Sequence, residues 1–150
     1  MSWPRPGQRA AERRIFSAED VSRFALLTGD LNPVHLDSEY AARTRFGRPI
    51  VHGMLAASMF STLLAMRVPG RGAVYLSQSM RFRAPIYVGE EVEATVEIIA
   101  VDETRSRLTL ATRLVRADGA EAITGEAVVL FQGSSEAERG RVTDGSDSEA

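Results

Sequence analysis

The sequence predicts an α+β domain in which one buried helix is followed by a largely antiparallel meander that wraps it. Three observations carry this expectation. Residues 53–66 are apolar nearly all round, through Met54, Leu55, Ala56, Ala57, Met59, Phe60, Leu63 and Leu64, and such a helix is buried on most sides. Beyond Gly72 the period changes, and 73–83, 91–101, 107–116 and 121–131 read as strands. Their connections are short, with Asp118-Gly119 as a hairpin signal, so successive strands should run antiparallel.

In chain order, residues 1–14 are polar, with prolines and several arginines, and read as a flexible arm. Ser17 and Asp20 form a near capping box, with Asp in place of the preferred Glu. Val21, Phe24, Ala25 and Thr28 follow at helical spacing, and Gly29 is a stop signal. Residues 30–35 read as a loop, in which Pro33 forces Asn32 into an extended or turn conformation. A short helix is expected over 38–45, broken by Phe46-Gly-Arg-Pro49. The helix over 53–66 ends at Pro69-Gly70-Arg71-Gly72. The run 91–98 alternates polar and apolar residues as a half-buried strand should. The last segment, 133–150, is rich in Gly, Ser, Glu and Asp and reads as a disordered acidic tail. The folded domain is thus expected over 15–132.

Composition narrows the chemistry. A chain of 150 residues holds one domain of ordinary apolar content. There is no cysteine, which removes disulfides, thiolate metal sites and cysteine nucleophiles. All 18 basic residues are arginine, so no lysine is available for a Schiff base or a phosphate loop. A net charge of −2 does not suit a nucleic-acid binder. The first residues lack an apolar signal core, and the apolar run 54–66 is interrupted by Ser58, Ser61 and Thr62. A soluble, cytoplasmic protein with no membrane partner is expected.

The chain has two histidines, His35 and His52. His35 shares a short, proline-stiffened loop with Asp30 and Asn32. A carboxylate and an imidazole on one loop suit general acid–base work on water. They equally suit a turn cap and a surface hydrogen bond, and spacing alone does not choose. Gly53 stands at the head of the buried helix, where unpaired amides carry partial positive charge and the lack of a side chain lets a ligand approach. Such an amide is what oxyanion stabilisation needs, although a glycine there also simply lets the chain turn. His52 is read as a packed histidine satisfied by backbone groups. Ser61, two turns on from Gly53, is a candidate partner for Asp30 or a pocket residue, although such a serine more often bonds its own backbone, and Leu64 on the same face is a candidate pocket contact with core packing as the safer reading. Arg43, Arg45, Arg48, Arg81 and Arg83 are candidate phosphate contacts, none singled out. Two histidines without matching carboxylate spacing do not make a zinc centre, and no metal is expected.

Two blocks, Thr28-Gly-Asp-Leu-Asn-Pro-Val-His-Leu-Asp37 and Arg48-Pro-Ile-Val-His-Gly-Met54, together resemble the MaoC-like hydratases, most of all the short, single-hot-dog (R)-specific enoyl-CoA hydratases. The similarity runs from about Phe16 to Phe131 and takes in Tyr75-Leu-Ser-Gln-Ser and Phe82-Arg-Ala-Pro-Ile-Tyr-Val-Gly-Glu. The resemblance implies a hot-dog fold, a long central helix wrapped by a curved antiparallel sheet, in a homodimer. It puts Asp30 and His35 in the catalytic pair's places, Gly53 in that of the backbone donor to the thioester carbonyl, and Asn32 and Ser61 in supporting places. The implied reaction is reversible hydration of a trans-2-enoyl-CoA to an (R)-3-hydroxyacyl-CoA, with no cofactor. Its rivals are dehydration of 3-hydroxyacyl groups on acyl carrier protein, a hot-dog thioesterase, and a non-catalytic thioester-binding subunit of a heteromer.

Overall fold

Ser17 and Asp20 cap a helix reciprocally, as their spacing predicts. In the computed structural model, which describes residues 3–132, the Asp20 amide donates to Ser17 Oγ over 3.1 Å and the Ser17 amide to Asp20 Oδ2 over 3.0 Å. The elements run β1 (Arg9–Ile15), α1 (Ala18–Thr28), α2 (Pro33–Leu36), α3 (Ser38–Ala42), α4 (Gly53–Met66), β2 (Val74–Phe82), β3 (Glu91–Asp102), β4 (Arg107–Arg116) and β5 (Glu121–Leu130). Gly29 closes α1 at φ 81°, where a side chain would be strained. The long helix α4 has the predicted bounds, and the four predicted strands form β2 to β5 with ends moved by at most a residue.

The five strands form one antiparallel sheet in the order β1-β3-β4-β5-β2. Alternation decides which face meets the helix. Val92, Ala94, Val96 and Ile98 of β3 and Leu108, Leu110 and Leu114 of β4 are buried together with Ala56, Phe60, Leu63 and Leu64 of α4. The helix is less enclosed than its composition predicts. Met54, Ser58, Ser61, Thr62 and Met66 are exposed along one stripe, because the sheet covers only the opposite side.

The domain boundary expected at residue 15 is corrected. Residues 9–14, read as part of a flexible arm, pair with β3 in a register running from Arg9↔Glu97 to Arg14↔Val92. Gly7 N–H donates to Ile98 O over 2.8 Å, and Trp3 packs edge-on against Phe131 with centroids 6.3 Å apart. Within β1 only Ala10 is buried, so the strand lacks an apolar alternation that sequence reading could detect. The expected loop at 30–35 contains the single turn α2, and the short helix ends at Ala42 rather than Arg45. The predicted tail over 133–150 lies outside the described residues. Among those, no helix is long and apolar enough to cross a membrane.

Candidate active site

The segment from Asp30 to His35 is built by short-range polar contacts. Thr28 Oγ1 accepts the Asp30 amide over 3.3 Å and donates to Phe24 O over 2.8 Å. Asp30 Oδ1 accepts the Asn32 amide over 3.2 Å, an Asx turn. Asn32 caps α2, taking the Val34 amide on its own Oδ1 at 3.5 Å, and Pro33 occupies the first helical position. One turn later His35 arrives on the inner side, half-buried, with its amide donating to Asn32 O over 3.1 Å.

A second segment fixes the His35 ring. Nδ1–H donates to Ile50 O over 2.7 Å, which assigns the hydrogen to Nδ1 and leaves the Nε2 lone pair free. The Ile50 carbonyl is itself held, because residues 49–51 are tied to the turn after β2. Val51 N–H donates to Ile86 O over 2.7 Å and Val88 N–H to Pro49 O over 3.2 Å. Tyr87 O–H donates to Phe46 O over 3.0 Å, and the Arg48 guanidinium lies 4.1 Å from the Tyr87 ring centroid. Burial pushes the His35 imidazole below its ordinary value. The neighbouring His52 acts in the same direction, while the Ile50 carbonyl and Asp30 oppose it.

A carboxylate oxygen of Asp30 and one ring nitrogen each of His35 and His52 lie within 4.8 Å of one another. Three such groups invite comparison with a metal centre, but the ring geometry is wrong for one. The two imidazoles stack with centroids 3.9 Å apart and planes at 25°. Their in-plane lone pairs therefore lie in separate, nearly parallel planes and do not converge on one ion at about 2.1 Å.

Gly53 begins α4 directly after His52, whose side chain makes no capping hydrogen bond to the helix. The first-turn amides are thus left for another acceptor. A Cβ at Gly53 would lie 2.6 Å from Phe82 Cε1, so the absence of a side chain there makes room for the Phe82 ring at the end of β2. A pocket of about 280 Å³ joins these parts, with His35, Gly53, Phe82, Ile86, Arg45 and Arg83 among its lining. Its wall is mostly apolar, with two guanidinium groups at hand.

Asp30, His35 and Gly53 are thus gathered at the head of α4, with Asn32 in the turn that carries the first two. Ser61 is not, being exposed on α4 with no hydrogen bond to Asp30 among the described residues. Leu64 is a core residue and does not line this pocket. Of the candidate arginines, Arg45 and Arg83 reach the pocket, Arg83 also pairing with Glu121 at 3.3 Å. Sequence reading missed Phe82 and Ile86, for which only the strand period of β2 and the apolar run after it gave a signal. His52, read as a packed histidine satisfied by backbone groups, is buried with Nε2–H donating to the Asp30 carbonyl.

Residues 4–119 match the model of the MaoC-like domain family. The chain is 52% identical over 123 residues to the (R)-specific enoyl-CoA hydratase of Aeromonas caviae, covering 82% of this chain and 92% of that one. It is 42% identical over 126 residues to the 3-hydroxybutyryl-CoA dehydratase of Methylorubrum extorquens, covering 84% and 80%. The solved structure of an A. caviae (R)-hydratase involved in PHA biosynthesis superposes with a TM-score of 0.84 at 50% identity, over 85% of this chain and 97% of that one. The hot-dog fold that the sequence implies is therefore the fold observed, and the match extends through both halves of the two-block signature. The chain belongs to the MaoC-like family.

Proposed function

We propose that the chain is an (R)-specific enoyl-CoA hydratase, adding water reversibly to a trans-2-enoyl-CoA to give an (R)-3-hydroxyacyl-CoA. The observation that carries this reading is the meeting of the Asp30 carboxylate and the His35 ring beside an uncapped helix head, with His35 lining a pocket that reaches Gly53. The thioester carbonyl accepts from the Gly53 N–H, which draws electron density from C3. Asp30 orients a water, and His35 Nε2 takes one of its protons as the hydroxyl bonds to C3. The π electrons move toward the carbonyl as an enolate, stabilised at Gly53. The imidazolium then returns the proton to C2 on the same face, and the sum is one added water with no cofactor. Asn32 supports the pair by capping the turn that carries His35. The same steps reversed dehydrate a 3-hydroxyacyl thioester, the direction named for the M. extorquens relative.

The site is tested by mixing purified protein with crotonyl-CoA and following loss of the enoyl absorbance. No loss sinks the reading. Release of free thiol instead would mark a thioesterase, and faster turnover of carrier-protein substrates would shift the reading to a dehydratase of acyl carrier protein. Because the His35 imidazole is depressed, its protonation needs more acid than the ordinary 6.5. The acid limb of kcat/KM, which reports the free enzyme, is expected to have its midpoint below that value. A midpoint above it would remove His35 as the base.

Gly53→Ala is expected to fold but to lose turnover, because the methyl group must displace the Phe82 ring at the pocket wall. Phe82 is exposed and able to give way, so the melting temperature should hold while kcat falls at least about tenfold, the scale of a misplaced reacting group. Equal rates in the two proteins would show that the helix head takes no part.

A homodimer belongs to this reading. β1 and β2 are the sheet edges. β1 protects its edge with Arg9, Arg13 and Arg14, whereas β2 presents exposed Val74, Tyr75 and Leu76. The open stripe of α4 and the exposed Leu26, Leu27 and Leu31 add apolar surface. A monomer by sedimentation would argue against the dimer. A cytoplasmic location fits a chain without cysteine.

A further inference from the structure

We propose that His52 is a positioning residue of the hydration site, bracing the Asp30 turn and the His35 ring with one side chain. The proposal rests on the hydratase reading above. His52 is 2% exposed and immediately precedes Gly53 at the head of α4. Its edge and its face do different things. At the edge, Nε2–H donates to the Asp30 carbonyl over 3.1 Å, pinning the main chain of the residue whose carboxylate faces the water. On the face, the ring lies against His35 at 3.9 Å between centroids. Phe24 of α1 contacts the same ring at 4.8 Å, tilted by 57°. The His52 backbone carbonyl meanwhile accepts the Ala56 amide over 3.1 Å, the first turn of α4. Asp30, His35 and the Gly53 amide are therefore all referred to one rigid group.

Packing alone does not account for a histidine here. Its Nδ1 is buried with no hydrogen-bond partner among the described residues, and a buried polar atom without a partner costs stability. A leucine or phenylalanine would fill the space without that cost, but neither donates to Asp30 O. Glutamine offers a donor at similar reach without a flat ring, and phenylalanine offers the ring without the donor. Among side chains of this size, only an imidazole supplies both. The stacked face limits rotation of His35 about its bond to Ile50 O, and the edge bond limits drift of Asp30. Reacting groups held this way keep the geometry on which their rate depends.

Two substitutions separate the roles. His52→Phe keeps the stack and removes the donor. It is expected to raise amide exchange at Asn32 and His35 about tenfold, on the scale of one lost hydrogen bond, with β3 and β4 unchanged. In the same protein kcat should fall at least about tenfold with KM little altered, since the substrate pocket is intact while the reacting groups drift. His52→Gln, which restores the donor but not the flat ring, should return the native exchange pattern at 30–35 while kcat stays lowered, because His35 has lost its stacked neighbour. If phenylalanine prevents folding, His52→Asn, too short for the same carbonyl, replaces it with the same expectation. Native exchange at residues 30–35 in the donor-less variant, or native kcat, overturns the brace. If the unmodified protein does not hydrate crotonyl-CoA, the hydratase reading fails by itself, and the exchange comparison alone decides on His52.

Discussion

His35→Ala is expected to lower the hydration of crotonyl-CoA by at least about a hundredfold, the scale of a lost acid–base group. In the proposed reaction the ring is the proton acceptor, and its lone pair is free and oriented because the Ile50 carbonyl holds its other nitrogen at 2.7 Å. Alanine leaves water in the pocket but nothing to take its proton. The fold should survive, since His35 is only half-buried and α2 contributes no residue to the core. Asp30→Asn separates charge from shape. An asparagine still accepts the Asn32 amide on its side-chain oxygen, as Asp30 does at 3.2 Å, so the turn persists while the carboxylate is gone. It too is expected to lose at least about a hundredfold in turnover. Steady-state rates and melting curves measured side by side check both. Rates near that of the unmodified protein, with the melting temperature unchanged, would dissolve the assignment of the pair. A fall in rate accompanied by unfolding would say nothing of chemistry, and the Asn variant guards against that.

The elements legible in the sequence are those whose signals are local. Ser17 and Asp20 sit three residues apart and Gly29 ends the same helix, so α1 can be read without knowing any long-range contact. The apolar run of α4 fixes its own limits, and the alternation of β3 follows from one face meeting that helix. What escapes is what depends on distant partners. β1 exists because it pairs with β3, from Ile15↔Glu91 to Arg9↔Glu97, far along the chain; its own side chains, with Ala10 alone buried, carry no period. α2 is four residues long, too short to show one. The site divides the same way. Asp30, Asn32 and His35 share one turn and could be grouped from spacing, whereas the Ile50 carbonyl, the Phe82 ring over Gly53 and the contact of His52 with His35 arise only when separate segments meet. The open side of α4 was misjudged for a related reason. Composition reports how apolar a helix is, not whether the chain itself covers it.

Gly125→Ala is expected to be the most destabilising of these substitutions, and the reason lies in the sheet rather than the site. Gly125 is in the middle of β5, opposite Met80 of β2 and Thr112 of β4. A Cβ there would press into the Ser79 carbonyl group and lie 3.1 Å from Met80 Cα. These are backbone atoms of a paired strand, so relief requires moving β2 as a whole, unlike Gly53, where an exposed ring can swing aside. A forced overpacking of this kind costs about 3 kcal/mol, which for a domain of this size corresponds to a fall of about 10 °C in melting temperature. Gly119 is the useful contrast. It sits at φ 86° in the turn between β4 and β5, with nothing near its missing Cβ, so an alanine there meets only the left-handed strain of about 1 kcal/mol. Thermal melts should therefore rank Gly125→Ala well below Gly119→Ala, and the reverse order would show that β2 is free to shift. Because Phe82 ends β2, Arg83 follows it directly and both line the pocket, the same displacement should reach the site. Any Gly125 variant that still folds is expected to lose turnover in proportion to how far β2 has moved.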